Sequence, residues 1–153
     1  MRVLVDGDSM PTRIREIICK QSSRRGFQAI FFANQTIPLP QSEGVEQRTV
    51  GDADDAMVEI AEPDDLAVTH DIPLAARLVE KGVTVLNDRG GRFTEENVRE
   101  RLSLRDFAKE LRDTGVLPER PRSFGPKEVM SFANTFDREL TSRGLSPMNR
   151  QSD

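Results

Sequence analysis

The stretch VLVDGDSMP, residues 3–11, governs how the rest of the chain is read. Val3, Leu4 and Val5 are short, mostly β-branched and do not alternate with polar residues, which predicts a strand buried on both faces. Asp6 and Asp8 follow at once, one residue apart, although a carboxylate leaves water only at high cost. Either the two acids begin a turn, or they hold something positive.

Outward from that strand, the pattern alternates. Pro11 suits a first helical turn, with Ser9 or Asp8 near the cap. Met10, Ile14, Ile17 and Ile18 keep helical spacing until Gly26. A second strand covers residues 27–34, a loop with two prolines follows, and a weaker strand covers 45–50. Beyond Gly51 a short helix runs to Pro63, with Ala53, Met57, Ile60 and Ala61 on one face. Residues 65–71 are another buried strand, followed by a helix to Gly82 and a strand over 83–87. Thr94 caps a long helix whose first turn carries Glu95 and Glu96. That helix reaches Gly115. A proline-rich loop leads to a last helix, through Val129, Ala133, Phe136 and Leu140, which ends at Gly144. Residues 1–143 form one domain, and 144–153 are expected to be a flexible tail.

Short buried strands alternating with helices predict an α/β fold with a parallel sheet covered on both faces. In such sheets ligands sit beyond the carboxyl ends of the strands. Asp6 and Asp8 lie at one such end, and Asp71 at another, with Thr69 two residues before it on the same face. Asp54 opens the short helix at the same edge, one turn before Val58. Asp6, Asp54 and Asp71 can therefore meet in one crevice, with Asp8 at its rim. Asp8, Asp52, Asp55, Asp64, Asp65 and Asp88 also suit ordinary caps and turns.

Composition narrows the chemistry. The 153 residues are 36% hydrophobic and 31% charged, with a net charge of −4. One cysteine, Cys19, precludes an internal disulfide, and one histidine, His70, leaves too few ligands for a Cys/His zinc site. Any metal must be held by oxygen, which favours Mg²⁺ or Mn²⁺. No apolar run reaches the ~20 residues needed to cross a bilayer. The first residues enter a strand without a basic, then apolar, leader, so a cytoplasmic location is expected. The net charge gives no global attraction to nucleic acid. Arg13, Arg15, Lys20, Arg24 and Arg25 cluster early, and Arg89, Arg92, Arg99, Arg101, Arg105, Lys109 and Arg112 cluster late. Solvated helix faces with Glu partners account for such runs, and a local phosphate-binding stripe is the alternative.

The motifs VDGDSMP, FFANQ, DADDAMVEIAEPDDLAVTHDIPLAARLVEKG, VLNDRGGRFTEENVRERLSLRDFAKELRDTG and FANTFDREL resemble the bacterial YaiI/YqxD family, in colinear order from residue 1 to about 140. That family is grouped with PIN-like domains. The resemblance implies a three-layer sandwich with a mainly parallel central sheet and long C-terminal helices. It also implies a nuclease that hydrolyses RNA at Mg²⁺ or Mn²⁺ held by Asp6, Asp54 and Asp71, with Asp8 assisting. Asn34, Thr69, Asn87 and Arg89 are the candidate substrate contacts. For Asn34 and Asn87, strand-end hydrogen bonding is the competing role. Where the family often reads D-A-D-A-C-P, this chain has Gly7, Ser9 and Met10, so the thiol is missing. Asp88 is the nearest counterpart of a fourth PIN acid. Two other functions compete. A strand ending in Asp-x-Asp also opens haloacid-dehalogenase-type phosphatases, with Asp6 as nucleophile, Asp8 as acid/base and Thr69 holding phosphate. A non-catalytic RNA- or protein-binding module is the third reading. With no Trp or Tyr, it has only Phe for base stacking.

Overall fold

The structure is a computed structural model that describes residues 1–113 and 124–146. Its strands are β1 (Arg2–Asp6), β2 (Gln28–Ala33), β3 (Val45–Thr49), β4 (Leu66–Val68), β5 (Thr84–Leu86) and β6 (Arg92–Phe93). Its helices are α1 (Thr12–Arg25), α2 (Ala53–Ile60), α3 (Ile72–Glu80), α4 (Glu95–Asp113) and α5 (Pro126–Ser142). The sheet order is β3-β2-β1-β4-β5-β6. All pairings are parallel except β5 with β6. The expected α/β sandwich with a mainly parallel sheet is therefore the observed fold. No described helix is long and apolar enough to cross a membrane.

The period of two along β1 sorts its side chains between two cores. Val3 and Val5 join Ile14, Ile18 and Phe31 on the face covered by α1 and α5, where Phe132, Phe136 and Leu140 are fully buried. Phe132 and Phe136 stack at 5.2 Å, and Phe27 meets Phe136 edge-on at 6.1 Å. Leu4 joins Ile30, Phe32, Met57, Leu74, Leu78 and Val85 on the opposite face, under α2 and α3. The same alternation sends Asp6 toward the α2–α3 side.

Because β1 lies between β2 and β4, successive strands are added to its left up to β3 and to its right from β4 onward. The chain reverses direction of growth there, which opens a crevice at the carboxyl ends of β1 and β4. Three local differences from the sequence expectation bear on that edge. Residues 7–9 form a 3₁₀ turn, and Pro11 rather than Ser9 or Asp8 occupies the cap of α1. β4 ends at Val68, although the Thr69 N–H still donates to the Leu86 carbonyl at 3.0 Å; His70 and Asp71 lie beyond the sheet, and Asp71 becomes the cap of α3 by accepting from the Leu74 N–H at 3.1 Å.

The third difference is β6, which the sequence did not reveal. Asn87 closes the turn before it: its side-chain oxygen accepts from the N–H groups of Arg89 (2.8 Å) and Gly91 (2.9 Å). Gly90 takes φ +87° against α5, where a Cβ would stand 2.6 Å from the Ser131 carbonyl oxygen. At the other end of the molecule, residues 144–146 of the expected tail are among the described residues. Leu145 packs against the first core, and its carbonyl accepts from the buried Arg25 guanidinium at 2.7 Å. Residues 114–123, which include most of the proline-rich loop, and residues 147–153 lie outside the described residues.

Asp65, readable from sequence only as a turn acid, anchors the opposite edge of the sheet. It is 2% exposed and accepts from the Arg2 N–H, Nε and Nη2 and from the Glu62 N–H, at 2.7–3.2 Å. Burial, the largest single influence, would raise its pKa, but the bonds from Arg2 and Glu62 together hold it below the ordinary value. A lowered native pKa contributes stability above the unfolded pKa and loses it as pH falls through the native one. Replacing Asp65 by Ala is expected to cost about 2–3 kcal/mol in urea unfolding at pH 7. The gap between parent and variant is expected to narrow as pH falls below the ordinary carboxylate range.

Candidate metal centre

At the carboxyl ends of β1 and β4 lies a cleft of about 470 Å³. Asp6, Asp8, Asp52, Asp54, His70 and Asp71 line it, together with Ser9 and Asn34. The structure thus brings together the four acids singled out from the sequence, from three separated segments. Each is placed by its own local structure.

Asp6 is 5% exposed and ends β1. Its Oδ2 accepts from the Thr69 hydroxyl at 2.7 Å and the Ser9 hydroxyl at 2.8 Å. Thr69 Oγ1 in turn accepts from the Asp71 N–H at 3.0 Å, so one hydroxyl links the ends of β1 and β4. The Asp8 Oδ2 accepts from the Asn34 N–H at 2.7 Å, which ties the 3₁₀ turn to the end of β2. Asp54 stands in the first turn of α2, whose cap is Asp52 through the Asp55 N–H at 2.9 Å. The second oxygens of Asp6, Asp8 and Asp71 accept no hydrogen bond from a described residue, and neither does Asp54. No fully buried side-chain oxygen lacks a partner among the described residues, so the second oxygen of Asp6 reaches the cleft surface.

The electrostatics follow from that crowding. Burial raises the Asp6 pKa, opposed by the hydroxyls of Thr69 and Ser9 and reinforced by the charge of Asp71. Burial also raises that of Asp54, with Asp6, Asp71 and Asp52 adding to it and Arg77 opposing. Like charges sharing a site disfavour ionisation in this way.

The remaining predicted contacts divide. Asn34 lines the cleft and is exposed. Thr69 is fully buried and its hydroxyl is committed to Asp6 and Asp71, so it positions acids and does not meet a substrate. Asn87 spends its side-chain oxygen on the turn after β5. Arg89 lies outside the acidic cleft, stacked 5.3 Å from the Phe124 ring centre. His70 was the residue missed. Half exposed, it lines the cleft and pairs through Nδ1 with the buried Asp88 at 3.3 Å. That bond, helped by the charges of Asp88, Asp6 and Asp71 against burial, raises its pKa. Its place directly after the LAVT segment and before Asp71 was the available signal.

The donor set tests whether a divalent ion suits the cleft. Among the described residues, no three His, Cys, Asp or Glu side chains are arranged to hold an ion jointly. A hard cation of the Mg²⁺ type needs only one or two direct carboxylates and keeps several waters. Free carboxylate oxygens on a shared cleft, under mutual repulsion, fit that hydrated mode and not a dehydrated cage. The one thiol is out of play, since burial pushes Cys19 up to about 11.

Comparison with known proteins gives a consistent picture of kinship. A family model described as the uncharacterised YaiI/YqxD family matches residues 4–142. A UPF0178 protein of Syntrophobacter fumaroxidans is 45% identical over 147 residues, covering 94% of this chain and 96% of the relative. UPF0178 proteins of Myxococcus xanthus (46% identical, 92% and 95% covered) and Treponema denticola (45% identical, 99% of each) are similar throughout. No solved structure is a significant match.

The raised pKa values carry a sign. A native carboxyl group that binds its proton more tightly contributes stability below the unfolded value of 3.8, and loses it as pH rises through the native pKa. Unfolding free energy is therefore expected to fall through that window. In metal-free buffer at pH 8, Asp54→Asn is expected to be more stable than the parent, and the difference is expected to vanish toward pH 4. Urea midpoints measured across pH check this.

Proposed function

Since the chain belongs to the YaiI/YqxD family and gathers Asp6, Asp54, Asp71 and Asp8 at one sheet edge, we propose that it is a divalent-metal-dependent nuclease acting on RNA. The observation that carries this reading is the shared cleft in which the buried Asp6 and the half-buried Asp54 both have raised pKa values, through burial first and the charges of neighbouring acids second. RNA as the substrate class comes from the PIN-like resemblance of the sequence motifs.

Asp6, Asp54 and Asp71 would hold the ion, in any pair that leaves room for its waters. When bound, a Mg²⁺ or Mn²⁺ ion supplies acidified water and neutralises charge building on a phosphoryl group. The protein's own contribution is orientation. Ser9 and Thr69 clamp one oxygen of Asp6 and leave the other for the cleft. The α3 cap does the same for Asp71, and the Asn34 N–H does it for Asp8. Asp8, at the rim, would orient an attacking water. His70 carries positive charge to higher pH than an ordinary imidazole, so it offers a counter-charge to a phosphate entering the cleft.

The phosphatase reading fares worse, because Thr69 is fully buried and its hydroxyl has no capacity left to grip a phosphate. A non-catalytic module explains the folded scaffold but not why five acids crowd one cleft.

Purified protein is expected to cut a labelled single-stranded RNA with Mg²⁺ or Mn²⁺, to stop with EDTA, and to resume when metal is restored. Asp6→Asn, Asp54→Asn and Asp71→Asn are each expected to slow cutting by about 10²–10³-fold with unchanged circular dichroism. Mn²⁺ is expected to raise the melting temperature of the parent but not of the Asp6→Asn, Asp54→Asn double variant. Variants that cut at the parental rate would remove the mechanism.

A further inference from the structure

A second groove, about 1030 Å³, adjoins the acidic cleft and shares His70 with it. One wall is a face of α4, where Arg101, Leu104, Arg105 and Ala108 recur at helical spacing. The other is the β5–β6 turn with Arg89, together with Phe124 ahead of α5. Three arginines on one groove stand out in a chain of net charge −4. The acid in its lining, Asp88, is buried and already paired with His70.

Two of these arginines are pre-set. The Arg101 guanidinium lies 5.0 Å from the Phe93 ring centre, and that of Arg89 lies 5.3 Å from Phe124. A guanidinium held over an aromatic face loses less freedom when its N–H fork meets an anion. Arg89 also has Glu128 at 3.8 Å, a long contact that a phosphate can displace. Arg105 is exposed and has no ion-pair partner among the described residues. Leu104 is 59% exposed on the same wall, an apolar surface beside the charges.

We infer that this groove binds the sugar–phosphate backbone of a single nucleic-acid strand and leads it past His70 to the acidic cleft. Arg101, Arg105 and Arg89 grip phosphates, while Leu104, Ala108 and the stacked guanidinium planes receive base faces. An acidic peptide offers the charge without the flat faces, and a duplex hides its bases. The catalytic part of the inference rests on the nuclease reading, whereas the binding part does not.

Binding is measured by fluorescence anisotropy of a short labelled single-stranded RNA in EDTA, where cutting is silent, over a salt series. The Arg101→Ala, Arg105→Ala double variant is expected to bind about tenfold more weakly. Its slope of log affinity against log salt is expected to flatten by about 1.4, at ~0.7 for each of two lost phosphate contacts on a single strand. Arg101→Lys, which keeps charge but not stacking, is expected to fall between parent and double variant. Asp54→Asn, having lost a negative charge, is expected to bind at least as tightly as the parent. Unchanged affinity and slope in the double variant overturn the inference. So does polyglutamate that displaces the RNA as well as unlabelled RNA does at equal charge concentration. If the parent binds through the arginines yet never cuts, the groove stands and the nuclease reading falls. If Asp54→Asn abolishes cutting while the arginine variants bind normally, the reverse holds.

Discussion

A carboxylate buried at the end of the central strand sets the terms for the rest of this edge. Asp6 sits 5% exposed where β1 gives out, and its cost is offset by two hydroxyls that donate to one of its oxygens. One of those hydroxyls, on Thr69, also receives the Asp71 N–H. The same atom therefore fixes the gap between β1 and β4, the start of α3 and the orientation of two acids. Because the sheet reverses its order of growth at β1, this gap is also the place where a ligand has access.

That arrangement is poor for stability and suited to function. Asp6 and Asp54, whose pKa values are raised by burial and by neighbouring acids, weaken the fold above those values, and a core of ordinary residues would avoid the loss. Proteins carry such local penalties where a site needs them. Elsewhere the charges are resolved conventionally. Asp65 is fully bonded by Arg2 and Glu62, and the buried Arg25 is bonded by Gln21, Thr141, Asp137 and the Leu145 carbonyl. By contrast, no described Arg or Lys forms an ion pair with Asp6, Asp8, Asp54 or Asp71.

The sheet was legible because strands buried on both faces are unbroken apolar runs, as in Val3–Val5 and Leu66–Val68. The meeting of Asp6, Asp54 and Asp71 was legible because strand ends and helix starts fall at one edge of a parallel sheet. What stayed hidden depends on contacts between distant residues. Thr69 and Asp6 are 63 positions apart, and nothing local tells that the hydroxyl will be spent on the carboxylate. β6 has two residues, too few for any periodicity, and exists because Asn87 and Gly90 shape a turn against α5. Arg101 and Arg105 read as a solvated helix face, with a phosphate-binding stripe as the alternative, and the groove they line exists only once Phe93 and the β5–β6 turn are placed opposite them. His70 looked like a lone histidine, and its bond to Asp88 belongs to the tertiary fold alone.

Whether the crowded acids share a hard cation decides what this edge of the sheet does. Anomalous diffraction at the manganese edge, from crystals of this chain soaked in Mn²⁺, tests that without reference to any substrate. The predicted result is an anomalous peak in the cleft bounded by Asp6, Asp54 and Asp71, with carboxylate oxygens and ordered water around it. A well-ordered cleft with no peak at saturating Mn²⁺, or a peak only elsewhere on the surface, would contradict it.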